Sequence, residues 1–304
     1  MSVTVEVLRK PEWLRVRIPS GPVYARVSRT IRRFRLHTVC EEAACPNIAE
    51  CWGGGTATIM LMGDICTRAC RFCNVKSGHP NGYLDANEPE RVACAVKELG
   101  LSYVVLTSVC RDDLPDGGAH HFARTITALK QLNEDLIVEV LIPDFNSSRE
   151  ALETVIRAGP EVIAHNVETV PRLSPLVRDH RASFERSVDV LRTVKEIDPS
   201  VLTKSSLMLG LGEEREEVIR TLRSLREAHV DIVTLGQYLR PTLSHVPVME
   251  YVRPEVFEYY RREAESIGFL LVVAGPLVRS SYRAGEHFTR ILLKRNRTEG
   301  RTVI

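Results

Sequence analysis

The chain lacks a charge excess of either sign: 41 Lys and Arg stand against 39 Asp and Glu, a net charge of +2 over 304 residues. A global nucleic-acid or membrane footprint is therefore not indicated. A secretory leader is not expected either, because "MSVTVEVLRKPEWLRVRIPSG" has no continuous apolar core and no small-residue cleavage site. The longest apolar run near the end, "GFLLVVAGPLV", is too short to span a bilayer and contains a proline. Solenoid repeats and low-complexity tracts are absent too. These absences lead to a soluble, cytoplasmic protein without nucleic-acid or membrane partners. In that compartment cysteines serve more often as metal ligands or catalytic thiols than as disulfides.

A hydrophobic content of 44% is ample for a sizeable core. The first fifty or so residues show no sustained period and read as an extension wrapped on the main body. After them, short β-branched runs ("TATIMLMG", "SYVVLTS", "DLIVEVLIPDF", "EVIAHNVET", "VLTKSSLMLG", "DIVTLGQYL") alternate with helical patterns. One of these helices has a capping-box start at Ser147 with Glu150, and stops at Gly159 before Pro160. A last helix and the strand "FLLVVAGP" close the pattern. Alternation of this kind argues for parallel strands with crossover helices, in a barrel, part of one, or a doubly wound sheet.

Six of the eight cysteines fall within the 34 residues from Cys40 to Cys73, in two groups of three. Cys40, Cys45 and Cys51 form C-x4-C-x5-C; Cys66, Cys70 and Cys73 form C-x3-C-x2-C. The other two read as structural: Cys94 on the apolar face of a helix, Cys110 at a strand end. Structural zinc wants four closed ligands, typically from paired C-x2-C units, and neither triplet is built that way. A cubane iron–sulfur cluster takes one ligand per iron, so three cysteines leave one iron open to a substrate or an unusual fourth ligand. Two triplets therefore point to two cubanes, each with one special iron.

The C-x3-C-x2-C loop directly follows the first expected strand, with Phe72 before its last cysteine. It resembles the radical S-adenosylmethionine enzymes, and that resemblance selects a partial (β/α)6 TIM-type barrel with N-terminal and C-terminal extensions. Further stretches, "CEEAACPNIAECW", "VLTSVCRDDLPDGGA", "HNVETVPRL", "LMLGLGE", "TLGQYLRPT" and "GPLVRSSY", are similar to the lipoyl synthase family, from about residue 28 to residue 288. The division implied is 1–51 for the extension with the auxiliary cysteines, 52–269 for the core barrel, and 270–304 for a C-terminal segment.

That resemblance implies two 4Fe–4S clusters and S-adenosylmethionine. Cys66, Cys70 and Cys73 would hold the cluster that cleaves S-adenosylmethionine. Cys40, Cys45 and Cys51 would hold an auxiliary cluster, with Ser281 of the Arg279–Tyr282 motif as its fourth ligand. The implied reaction inserts two sulfur atoms at C6 and C8 of an octanoyl chain amide-linked to a carrier lysine. A 5′-deoxyadenosyl radical abstracts hydrogen and the auxiliary cluster is consumed as the sulfur source, because no side-chain acid or base usefully ionises an alkane C–H bond. The implied partners are an octanoylated lipoyl carrier domain or glycine-cleavage H protein, a low-potential donor such as ferredoxin or flavodoxin, and an iron–sulfur cluster carrier.

Weaker signals remain. Asn166 and Glu168 lie two apart at the end of the fourth strand, hence on one side, as candidate contacts to the bound cofactor, Glu168 for a ribose diol. Lys204 is a candidate for the cofactor carboxylate, or a solvated strand-end charge. "GLGE" lacks the third glycine of a dinucleotide site and reads as a strand-to-helix turn. His120 and His121 read as structural. Ser206 and the "VRDHRASF" loop depart from the family's usual pattern and put local loop geometry in question. "RTIRRFR" groups Arg29, Arg32, Arg33 and Arg35 as a solvated basic face or a docking site for the carrier. Two other functions stay open: a different sulfur-inserting or methylthiolating radical enzyme, and a non-enzymatic zinc or iron–sulfur protein.

Overall fold

The computed structural model describes residues 9–16 and 18–283. The parts of the two expected extensions at residues 1–8, 17 and 284–304 lie outside the described residues. After a 3-10 turn at Glu12–Leu14 come helix α1 (Pro22–Arg33), strand β1 (His37–Thr38), helices α2 (Val39–Glu42) and α3 (Ile48–Gly53), and strand β2 (Thr58–Leu61). A two-residue parallel pair, β3 (Ile65–Cys66) with β4 (Lys76–Ser77), brackets the C-x3-C-x2-C loop. The chain continues through α4 (Glu88–Leu99), β5 (Tyr103–Ser108), α5 (Ala119–Leu132), β6 (Ile137–Leu141), α6 (Arg149–Arg157) and β7 (Val162–Ala164). It ends with α7 (Ser174–Val177), α8 (Phe184–Ile197), β8 (Leu202–Leu209), α9 (Arg215–Glu227), β9 (Ile232–Gln237), α10 (Pro254–Ile267) and β10 (Leu271–Gly275).

The sheet runs β1-β2-β5-β6-β7-β8-β9-β10, with β1 antiparallel to β2 and every other pair parallel. Six strands, each followed by a helix, and then a seventh, β10, give the (β/α)6 pattern plus one closing strand. The ends of the sheet do not pair with each other among the described residues, so this is an open, partial barrel. Both segments that flank the barrel meet across the opening. Asn47 Nδ2 donates to the Leu277 carbonyl at 2.6 Å, Thr58 Oγ1 to Ser281 Oγ at 2.9 Å, and the Tyr282 hydroxyl to Glu50 at 2.8 Å.

The N-terminal segment is more regular than its sequence promises. Pro22 occupies the first turn of α1, where its missing N–H costs nothing. Val27, Thr30 and Ile31 are buried on one face, and Arg26, Arg29, Arg32 and Arg33 are exposed on the other. Val27, Ile31 and the fully buried Trp52 belong to the same apolar cluster as Ile59, Leu106 and Phe122, so the extension shares the barrel's core. Tyr24 packs on Trp52 with ring centroids 5.1 Å apart.

Three local expectations are corrected. Helix α6 is capped by Ser148, whose hydroxyl accepts from Ala151 N, because Ser147 is taken into the preceding 3-10 turn. A reciprocal capping box occurs instead at α9, between Glu214 and Glu217. Cys94 is exposed, since α4 turns Val92, Ala93, Ala95, Val96 and Leu99 inward and leaves position 94 outside. The fourth barrel strand, β7, ends at Ala164, short of Asn166 and Glu168. Among the described residues, no helix is long and apolar enough to cross a membrane.

Candidate metal centres

All eight cysteines are free thiols, and the two triplets gather on neighbouring segments. Asn74, next to Cys73, donates to the Glu42 carbonyl at 3.0 Å, tying the C-x3-C-x2-C loop to the helix that carries Cys40. Among the described residues no three His, Cys, Asp or Glu side chains converge tightly enough to grip one ion.

In the first triplet, burial pushes the Cys40 thiol up to about 11, with the Cys45 thiol adding to it. Cys51 rises to about 12, from burial and then from Cys40 and Cys45, and Cys45 is raised by burial. Cys51 thus feels both other thiols, and Cys40 feels Cys45. Buried thiols of this kind become thiolates only with a cation among them, which a cluster supplies. Trp52 Nε1 is buried without an oxygen or nitrogen acceptor, and the Cys40 sulfur is the group it meets. Thr58 joins the parts: its backbone lies beside the Cys40 thiol and tempers that rise, while its hydroxyl donates to Ser281 Oγ at 2.9 Å. The Arg279 guanidinium is half-buried near Cys45, and Tyr282 reaches Glu50 on α3. Arg279, Ser281 and Tyr282 are therefore brought to the segments that carry and flank the first triplet, by contacts between residues more than two hundred positions apart.

The second triplet is held by a dense polar frame. Arg68, inside the loop, is 4% exposed at its side chain and forms ion pairs with Asp112 at 2.8 Å and Asp144 at 2.6 Å. Arg68 N and Cys110 N both donate to Cys66 Sγ, at 3.4 and 3.3 Å. The Cys66 thiol is lowered to about 6, chiefly by the Cys110 thiol donating to it, while Cys110 is pushed well up by the same contact and by burial. Burial raises Cys70 to about 11 and Cys73 to about 12. Asp179 N donates to Cys70 Sγ at 3.3 Å. His245 and Val246 hold the Cys73 and Arg71 carbonyls at 3.0 and 3.1 Å. Three thiols, with N–H groups aimed at two of them, form a donor set that suits an iron–sulfur cluster.

The other expected contacts separate. Asn166 Nδ2 reaches Glu168 Oε1 at 3.1 Å, but through an irregular segment beyond β7 in which Glu168 takes φ 67°. Burial raises the Glu168 carboxyl, against the pull of Arg178, and Asn166 Oδ1 is buried without a partner. That orphaned acceptor fits a site awaiting a donor from a bound molecule. Phe72 packs against the apolar cluster that contains Val167 and Val170. Lys204 is not with them: it lies near the start of β8, buried, with Nζ 2.8 Å from Glu139 Oε1. Glu139 also accepts from the Tyr103 hydroxyl at 2.6 Å.

The "GLGE" turn is closed from within, because the Glu213 carboxylate accepts from Gly210 N at 2.6 Å and Leu211 N at 2.9 Å. A phosphate would need those donors. His121 is buried on Glu88 at 2.6 Å and His120 sits on Asp116 at 2.7 Å. Thr58, Arg68, Asp112, Asp144 and Asp179 were not singled out from the sequence, and Cys110, read there as a structural strand-end thiol, lies against Cys66. Of the five, only Arg68 carried a hint, by lying inside the cysteine loop.

Residues 60–225 match the family model of the radical SAM superfamily, and residues 3–45 match that of the N-terminal domain of lipoyl synthase. Lipoyl synthase of Thermus thermophilus is 57% identical over 279 residues, 92% of this chain and 86% of that protein. Lipoyl synthase of Myxococcus xanthus is 56% identical over 97% of this chain and 98% of that protein. The mitochondrial lipoyl synthase of Bos taurus is 54% identical over 97% and 80%. Among solved structures, Streptococcus suis SuiB bound to S-adenosylmethionine superposes with TM-score 0.55 at 12% identity, covering 75% of this chain and 53% of that one. Methylornithine synthase (PylB) gives TM-score 0.53 at 17% identity, covering 70% and 69%. At such identities these structures speak for the fold alone.

Proposed function

The chain belongs to the lipoyl synthase family of the radical S-adenosylmethionine superfamily, and from that premise we propose how its residues divide the work. The activity is radical-mediated insertion of two sulfur atoms into an octanoyl chain carried on a lysine, with S-adenosylmethionine and 4Fe–4S clusters as cofactors. Cys66, Cys70 and Cys73 are the ligands of the cluster that binds S-adenosylmethionine; Cys40, Cys45, Cys51 and Ser281 are those of the auxiliary cluster. When bound, the first group supplies the electron that cleaves S-adenosylmethionine and the second supplies sulfur. The observation that supports this division is Thr58, whose hydroxyl donates to Ser281 Oγ at 2.9 Å and whose backbone lies beside the Cys40 thiol. A serine oxygen is a harder ligand than a thiolate and suits a position that must be given up when the auxiliary cluster is dismantled.

The protein's own groups bind and orient. Asn166 and Glu168 form the edge against which the cofactor's polar groups rest, and Phe72 offers it an apolar face. Lys204 serves the barrel interior through Glu139 rather than the cofactor carboxylate, a reading supported by its buried ion pair. The chain divides near residues 51 and 269 into an extension, a core barrel and a C-terminal segment.

The substrate arm arrives on a folded carrier, an octanoylated lipoyl domain or glycine-cleavage H protein, and α1 is its docking surface. Arg26, Arg29 and Arg32 lie exposed on the face of α1 opposite its buried side chains, while Arg33 is engaged by Glu98 at 2.9 Å. That helix rests on α3, which carries Cys51. An acidic carrier surface complements this face, raising the encounter rate and orienting the arm toward the auxiliary triplet. A low-potential ferredoxin or flavodoxin supplies electrons and an iron–sulfur carrier restores the auxiliary cluster. Cytoplasmic residence suits a chain of eight free thiols.

The test is anaerobic loading with iron and sulfide, then incubation with an octanoyl-lysine peptide, S-adenosylmethionine and a strong reductant, read by mass spectrometry. The expected result is dithiolated peptide, 5′-deoxyadenosine and about eight irons per chain. Zinc without sulfide, or loaded protein that yields no dithiolated peptide, overturns it.

A further inference from the structure

The segment Val177–Arg181, part of the "VRDHRASF" stretch whose loop geometry the sequence put in question, touches nearly every residue of the C-x3-C-x2-C loop between its first two cysteines and just beyond. Arg181 Nη2 donates to the Thr67 carbonyl at 2.6 Å. Asp179 Oδ2 accepts from Ala69 N at 2.8 Å, and Asp179 N donates to Cys70 Sγ at 3.3 Å. Arg71 N donates to the Val177 carbonyl at 2.8 Å, and Arg71 Nη1 to the Leu176 carbonyl at 3.2 Å. The clamp is itself braced. Asp179 Oδ1 accepts from Arg181 N and Nε at 3.0 and 2.9 Å, Arg181 Nη1 lies 3.3 Å from Asp112, and Asp112 is already paired with Arg68. On the other side, Arg178 Nη1 donates to the Ser187 hydroxyl at 2.9 Å and to the Ser183 carbonyl at 3.2 Å, fixing the segment to the start of α8.

We propose that Asp179 is a positioning residue for the cluster that binds S-adenosylmethionine: its carboxylate fixes the loop backbone at Ala69 while its own N–H caps the Cys70 sulfur. A free loop of eight residues spanning three ligands has many conformations, and each hydrogen bond from outside removes some of them before iron arrives. Asp179 acts at both levels. Its side chain holds the backbone between two ligands, and its backbone donor meets a ligand sulfur, a type of contact that shifts a cluster's reduction potential. No comparable clamp from Val177–Arg181 reaches Cys40, Cys45 or Cys51 among the described residues, so the effect is confined to one triplet. The inference rests on the assignment of Cys66, Cys70 and Cys73 as cluster ligands, but not on the identity of the substrate.

The experiment uses the full chain in two backgrounds, one with Cys40, Cys45 and Cys51 changed to alanine so that only the first cluster loads, the other with Cys66, Cys70 and Cys73 changed. Into each go Asp179→Ala and Asp179→Asn. Iron loss to a chelator is followed by absorbance, and the reduced cluster's spectrum and midpoint potential are recorded by electron paramagnetic resonance in a redox titration. In the first background Asp179→Ala is expected to release iron about tenfold faster or more, as loss of a charge-assisted hydrogen bond at one site allows, and to shift the midpoint potential. Asp179→Asn, which keeps an acceptor for Ala69 N, is expected to recover most of both. In the second background neither change alters iron release. Equal iron loss in the two backgrounds, or an unchanged rate and potential in the first, overturns the proposal. Failure of the parent first-background protein to load any cluster would instead overturn the ligand assignment on which it rests.

Discussion

Replacing Lys204 with methionine separates its two possible roles. The Lys204 and Glu139 side chains are 4% and 3% exposed, with Nζ and Oε1 2.8 Å apart. Methionine matches the volume of the lysine stem but removes the cation, and leaves the Glu139 carboxylate buried with the Tyr103 hydroxyl at 2.6 Å as its remaining contact. An isolated buried charge of this kind costs about 3–5 kcal/mol, more than the net worth of the pair, because the stranded partner keeps its desolvation penalty. In a chain of this size that lowers the melting temperature by about 10 °C. Adding Glu139→Gln removes the stranded charge and preserves an acceptor for Tyr103, so Lys204→Met/Glu139→Gln recovers most of the loss, to within about 1–2 kcal/mol of the parent. Urea denaturation of the cluster-free protein measures both variants, and equilibrium dialysis of the loaded double variant measures affinity for S-adenosylmethionine. The structural role predicts unstable single, rescued double and unchanged affinity. A single variant within about 1 kcal/mol of the parent refutes the reasoning, and a stable double variant with affinity lost would return Lys204 to the cofactor.

Three further outcomes follow from the same geometry. Ser281→Ala should keep reductive cleavage of S-adenosylmethionine and lose most lipoyl product, with Ser280→Ala milder, since Ser281 is the residue that Thr58 holds at 2.9 Å; normal product yield from Ser281→Ala removes it from the ligand set. Arg29→Glu/Arg32→Glu should slow turnover on an intact octanoylated carrier domain by about tenfold at low salt and leave a short octanoyl-lysine peptide unaffected; the pair avoids Arg33, whose bond to Glu98 serves the fold, and equal effects on both substrates count against docking through α1. His165 is wholly buried, and burial, then Arg178, lowers it to about 4. A histidine depressed in the folded state takes up its proton more readily when unfolded, so its contribution is intact above the unfolded value of 6.5 and is lost as pH falls toward 4, by about 3 kcal/mol. His165→Asn should flatten that part of the stability–pH curve, and an unchanged slope between those limits excludes His165 as its source.

Much of the fold was legible because it repeats. Strand runs of β-branched residues and amphipathic helices recur, and six pairs with a closing strand are what the structure contains. Helix α1 was not legible, because Pro22 at its start and its Val and Thr content look like irregular chain. Its order comes from burying Val27 and Ile31 in the barrel's core, which no local pattern reports. The cysteine triplets stood out because spacing alone carries the chemistry. Their support did not, since the groups that grip each triplet are distant in the chain: Asp179 to Cys70, Thr58 to Ser281, His245 to Cys73. The surroundings of Lys204 were not legible because a lysine in a strand reads as a charge seeking solvent or a ligand, whereas Glu139 on β6, two strands away across β7, meets it inside the barrel. Asn166 and Glu168 do meet, as their spacing implied, but by a bend after β7 rather than by the alternation of a strand.

The central claim is that the two cysteine triplets do different work, and one comparison tests it most directly. The parent, a Cys66→Ala/Cys70→Ala/Cys73→Ala variant and a Cys40→Ala/Cys45→Ala/Cys51→Ala variant are each loaded anaerobically and given octanoyl-lysine peptide, S-adenosylmethionine and a strong reductant. Mass spectrometry then counts 5′-deoxyadenosine and dithiolated peptide in the same samples. The account predicts both products from the parent, neither from the first variant, and 5′-deoxyadenosine without dithiolated peptide from the second. Dithiolated peptide from the variant that lacks Cys40, Cys45 and Cys51 would contradict it.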